Sequence, residues 1–129
     1  MSVEIPGKKI FLHHLTTMFT NIESGPKWDM TAPMLWGYFF THSEPARLEA
    51  AAEQLTELGL KCVRVQLAEK KADDAPDVFR LHMAEVRVHS PESLDERNNE
   101  LYLFAHNEGI DAYVGMDVKP VNKAVLEQA

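Results

Sequence analysis

An α+β domain is predicted for this chain: a four-stranded antiparallel sheet with two helices on one face, plus an N-terminal helix. Three features predict it. The apolar run Met34–His42, MLWGYFFTH, leads straight into Ser43-Glu44-Pro45, a helix start. The later segments complete the order strand, helix, strand, strand, helix, strand. The polar connection between the second and third strands is too short for a parallel crossover, which needs about a dozen residues or more. That order is the ferredoxin-like βαββαβ unit.

Each element has its own signals. Residues 9–22 read as a helix after Pro6-Gly7, with Phe11, Leu12, Leu15, Met18, Phe19 and Ile22 forming an apolar stripe. Glu23–Pro33, with Gly25, Pro26 and Pro33, reads as a linker, in which Trp28 is expected to dock on its own domain, with a partner anchor as the alternative. The first strand is Leu35–Thr41. The helix after it spans Pro45–Leu58, with Ser43 as N-cap, Pro45 in the first turn and Gly59 as the stop. Leu48, Ala51, Ala52, Leu55 and Leu58 are its inner face. The second strand is Lys61–Ala68, with Val63, Val65 and Leu67 alternating against Cys62, Arg64 and Gln66. Glu69–Asp77 reads as a solvated hairpin loop. The third strand, Val78–His89, changes apolar phase near Met83-Ala84, which a β-bulge or burial on both faces would reconcile. The second sheet-packing helix starts at Ser90-Pro91-Glu92 and stops at Gly109, with Leu94, Leu101, Phe104 and Ala105 inward. The last strand is Asp111–Val118. Residues 1–33 thus form an N-terminal helix and linker, 34–121 the sheet-and-helix domain, and 122–129 a C-terminal tail with a short helical stretch at Asn122–Gln128.

Composition narrows the function. The 129 residues carry a net charge of −7 and one cysteine, Cys62, so no internal disulfide forms and a cytoplasmic setting is expected. No apolar run reaches the ~18–20 residues of a membrane span. A chain this acidic is repelled by phosphate backbones and anionic lipid, so nucleic acid and membrane are not expected partners. A basic patch on a protein is the natural complement. No phosphate loop, zinc-protease helix or nucleophile elbow occurs, and no cofactor or metal is implied.

The candidate binding residues are aromatic. Trp36, Tyr38 and Phe40 share one side of the first strand, and Leu35, Gly37 and Phe39 the other. The polar tips of Trp and Tyr suit a half-wet surface, and Gly37 suits close helix approach. The expectation is that Trp36, Tyr38 and Phe40 lie on the face away from the two helices. There they meet a partner, a second copy, or a cover formed by Phe11, Leu15 and Met18. Arg97 and Asn98 are expected to play structural polar roles; Asn98 lies between Leu94 and Leu101 and needs a partner, such as loop backbone around Asp111–Gly115. His82, Glu85, His89 and Asp117 are the only cluster that would support a small metal-dependent enzyme or ligand-binding domain, and a regular strand sends His82 and Glu85 to opposite faces. A toxin-neutralising immunity protein is a further alternative.

Three segments carry a resemblance: Leu35-Trp36-Gly37-Tyr38-Phe39-Phe40, His89-Ser90-Pro91-Glu92-Ser93-Leu94-Asp95, and Asp111-Ala112-Tyr113-Val114-Gly115-Met116-Asp117-Val118. In order and spacing, over about residues 28–121, they resemble the ribonuclease E inhibitor B (RraB) family. The resemblance implies a bacterial, non-catalytic protein that regulates an RNA-degrading enzyme by binding it. Better-known members carry acidic stretches, whereas this chain ends Lys123-Ala124-Val125-Leu126-Glu127.

Overall fold

The computed structural model describes residues 5–68 and 76–121. The central part of the predicted hairpin loop and the 122–128 stretch lie outside those residues. The elements are α1 (Leu12–Ser24), β1 (Met34–His42), α2 (Pro45–Glu57), β2 (Lys61–Leu67), β3 (Phe79–Arg87), α3 (Pro91–Asn107) and β4 (Ala112–Pro120). The sheet runs β2-β3-β1-β4 with every pair antiparallel, so β1 and β3 are central.

Capping follows the sequence at α3 and departs from it at α2. Ser90 accepts from the Ser93 amide at 3.1 Å, and Ser93 Oγ accepts from the Ser90 amide at 2.8 Å. This reciprocal pair fixes the helix start, with Pro91 in the first turn. At α2 the N-cap is Glu44 rather than Ser43, because Pro45 occupies the first helical position. The Ser43 amide donates instead to Asp111 Oδ2 at 3.3 Å. Gly59 and Gly109 take positive φ just beyond the two helices, as stops of this kind require.

The largest correction concerns the aromatic row of β1. Trp36, Tyr38 and Phe40 have no solvent exposure and belong to one core with Leu48 and Leu55 of α2 and Leu94 and Leu101 of α3. They face the helices. The expectation failed because it gave their polar tips to water, whereas the fold supplies internal partners: Trp36 Nε1 donates to the Arg87 carbonyl at 3.0 Å and Tyr38 Oη to Glu85 at 2.6 Å. Leu15 is equally buried, and Phe11 is the one member of the predicted binding set with substantial exposure. α1 packs along α3, and its Phe19 ring stacks on Trp36 at 6.1 Å between centroids. The three described helices therefore share one side of the sheet. The helix begins at Leu12, later than expected, and the segment before it is tied down by the Lys9 and Ile10 amides, which donate to Tyr102 Oη, and by a Lys8–Asp95 ion pair. In the linker, Trp28 packs against the core of its own chain.

β3 has no bulge against β1: the register is continuous from Met34↔Arg87 to His42↔Phe79. Leu81 and Met83 face inward while Ala84 and Val86 take the other face, which explains the phase change without a backbone defect. The irregularities lie in the outer strands. β2 shifts between Cys62 and Arg64, and β4 shifts opposite Phe39/Phe40. The β2 shift breaks the expected alternation and leaves Val63 exposed.

Leu55 sits fully buried in the middle of the α2 stripe. Leu55→Ala is expected to cost about 2–4 kcal/mol in urea unfolding. A loss below about 0.5 kcal/mol would contradict this placement.

Candidate functional site

The helix-facing side of the sheet holds a buried polar clasp. Arg97 of α3 grips Glu85 of β3 through two bonds, Nε to Oε2 at 3.1 Å and a terminal nitrogen to Oε1 at 3.2 Å. Tyr38 Oη donates to the same carboxylate, and so accepts at 3.2 Å from His89 Nε2. His89 Nδ1 meets Ser93 Oγ at 2.9 Å, linking the clasp to the α3 cap. His89 Nε2 also stands 3.9 Å from Glu85 Oε2, an electrostatic contact longer than a hydrogen bond. Burial alone would raise the Glu85 pKa. The contacts with His89 and Tyr38 and the Arg97 guanidinium outweigh burial and hold it at about 2, well below the ordinary 4.5. Burial first, and then the bond to Glu85, pushes the Tyr38 hydroxyl far above its usual range. Asn98, expected to face at least partly inward, is fully buried, and its partners are side chains of β4 rather than loop backbone: Oδ1 accepts from Tyr113 Oη at 2.7 Å and Nδ2 approaches Met116 Sδ at 3.6 Å. These groups have one another as partners, which is the arrangement of a packing network.

The opposite side of the sheet is different. Residues paired in register share a face, so three rows can be read across it: Leu35 with Val86 and Lys119, Gly37 with Ala84, Lys61 and Asp117, and Phe39 with His82, Arg64 and Gly115. Gly37 is the floor. A Cβ there would run into the ends of the Asp117 and His82 side chains, which lean over it. Around them lies a hollow of about 380 Å³, lined further by Leu35, Cys62 and Arg64. Phe39 and His82 stack at 4.6 Å, and the Arg80 guanidinium lies over Phe39 at 5.9 Å. Burial holds the His82 pKa below the usual histidine value; Arg64 and Lys119 push the same way, and Asp117 opposes them.

His82 and Asp117 thus lie on this face, and Glu85 and His89 on the other. The four do not converge, which removes the motive for a metal-dependent enzyme built from them. Among the described residues, no three His, Cys, Asp or Glu side chains gather as a metal site. A slightly larger hollow of about 440 Å³ lies along the seam between the N-terminal segment and α3/β4, and Tyr102 there already accepts the strap's amides.

A family model described as regulator of ribonuclease activity B matches residues 15–118, most of the chain. The chain belongs to the RraB family. No curated protein matches it. The match begins within α1, takes in α2, α3 and the first three strands, and reaches into the last strand, so most of the core and of both sheet faces falls within the family's extent. The family is one of regulators of ribonuclease activity. No described helix is long and apolar enough to cross a membrane.

The sequence singled out Arg97 and Asn98 as polar residues in need of partners, which the structure places among Glu85, Tyr113 and Met116, and it missed the face around Gly37. The signal was present in β3, where Arg80 and His82 alternate with Phe79, Leu81 and Met83. Following that alternation across the register would have placed Tyr38 inward with Met83 and Gly37 outward with Ala84.

The clasp makes a pH prediction. Glu85 has a folded pKa below its unfolded one, so its contribution is complete above about pH 4.5 and is lost as the pH falls towards about 2. Arg97→Met should cost roughly 3 kcal/mol near neutrality, because it strands a buried carboxylate. The gap from the parent should narrow as acid protonates Glu85. Denaturant titrations across that range measure it, and a pH-independent gap would contradict the assignment.

Proposed function

We propose that this chain is a non-catalytic regulator that binds a protein partner, a ribonuclease or a component of its assembly, through the helix-free face of the sheet. The observation that carries the reading is that face. Three helices crowd one side of the sheet and leave the central strands of the other uncovered among the described residues, around a glycine-floored hollow. A bare sheet surface with mixed apolar and charged side chains is suited to docking. Family membership supports the ribonuclease as target. The proposed binding set accordingly moves from Trp36, Tyr38, Phe40 and Leu15, which are sealed in the core, to Leu35, Gly37, Phe39, His82 and Val86. We also read the fold as ferredoxin-like, supported by the βαββαβ order and the β2-β3-β1-β4 sheet. The same reading places the protein in the bacterial cytoplasm beside its enzyme; the exposed Cys62 thiol suits a reducing compartment.

Titrating the protein into a ribonuclease E reaction on a labelled single-stranded RNA tests the reading. The cleavage rate should change with protein concentration, and the protein alone should cleave nothing. Gly37→Leu fills the hollow and needs only the ends of the Asp117 and His82 side chains to swing outward. It should keep its melting temperature and lose the effect on the enzyme. A variant that regulates as well as the parent would overturn the docking face, and RNA cleavage by the purified protein would overturn the non-catalytic reading.

A further inference from the structure

The charge of the open face opposes the charge of the chain. The whole sequence carries −7, yet the register places Lys61, Arg64, Arg80 and Lys119 on this side of the sheet. Among the described residues at those positions, Asp117 is the one carboxylate. A partner approaching at a few ångströms meets the local charge, while net charge acts at longer range and is screened beyond roughly 8–10 Å in physiological salt. The basic partner expected from composition is therefore the wrong complement for this surface.

We propose that the segment seated on the open face is an acidic, extended stretch of the partner protein, with apolar side chains between its carboxylates. This rests on the reading of the open face as the docking site. The cations ring the face, with Arg64 and Arg80 towards one end and Lys119 at the other, while Leu35, Ala84 and Val86 form an apolar strip across its middle. Side chains of an extended segment alternate at a spacing that meets both. The geometry disfavours the other polyanion, single-stranded RNA. Base recognition on a sheet of this kind needs an open aromatic ring face. Phe39 has His82 stacked on it at 4.6 Å and Arg80 over it at 5.9 Å.

Fluorescence anisotropy on the full chain tests the proposal with three labelled probes: a peptide alternating Glu and Val, its Lys and Val counterpart, and oligouridylate. The Glu/Val peptide should bind, weaken as salt rises, and lose roughly tenfold in affinity with the double variant Arg64→Glu/Arg80→Glu. The milder Arg64→Gln/Arg80→Gln pair should fall between, which separates charge from any loss of fold, with the melting temperature as control. The Lys/Val peptide should not bind. Equal or tighter binding of the Lys/Val peptide, or preferential binding of oligouridylate, would overturn the proposal. Self-association of the parent that the same double variant abolishes, seen in sedimentation, would overturn it in favour of a second copy as the occupant. The ribonuclease assay separates the two readings. If Gly37→Leu abolishes regulation while the charge-reversed variant regulates normally, the docking face stands and its acidic occupant falls. If both variants regulate normally, the docking face itself falls.

Discussion

The Glu85 clasp decides which way the sheet faces. A strand as aromatic as β1 can bury either parity, and the choice turns on where the Tyr38 hydroxyl goes. Glu85, held by both arms of Arg97, offers it an acceptor inside the protein. With that bond made, Tyr38 points into the helix layer, and Trp36 and Phe40 on the same parity go with it. A buried ion pair is weak evidence of net stabilisation, since desolvation offsets the attraction. Its role here is better described as specificity. A one-residue slip of β1 would carry Tyr38 away from Glu85 and turn every side chain of the strand over.

Once the aromatics are inside, the other parity supplies the surface, and it is built from smaller and charged residues: Gly37 and Ala84 in the middle, cations at the rim. α1 does not cover it. Its buried residues, Leu15 and Phe19, extend the core beside Trp36 instead. The N-terminal helix and the sheet domain thus share one core, and the helix layer is completed by three elements. The functional reading depends on this asymmetry, one side of the sheet sealed and the other uncovered among the described residues.

The order and type of every described element were legible in the sequence, because proline, serine and glycine punctuation coincides with changes of hydrophobic period. The inner face of α2 was legible for the same reason as far as Leu55, whereas Leu58, expected inward as well, sits at the helix end and is exposed; the inward turn of Asn98 was legible from its place between Leu94 and Leu101. The face assignment of β1 was not. Its two parities, Trp36-Tyr38-Phe40 and Leu35-Gly37-Phe39, differ little in hydrophobicity, and the deciding partners lie 47 residues away at Glu85 and 51 away at Arg87. Net charge was silent on this face in a similar way: it is a sum over the chain, whereas the grouping of Lys61, Arg64, Arg80 and Lys119 on one surface follows from strand register.

The two irregular outer strands bear on how the sheet protects its own edges. Each places an extra valine where the ladder shifts, Val63 in β2 and Val114 in β4, and both are exposed. A straight outer strand presents a row of unpaired amides and carbonyls on which another chain can add, while a bulge twists that row and breaks its spacing. β2, with mostly exposed residues and two β-branched side chains, Val63 and Val65, in KCVRVQL, is the edge on which such a break matters. The register shifts thus fall on the two outer strands, while the central pair β1 and β3 keeps a continuous register.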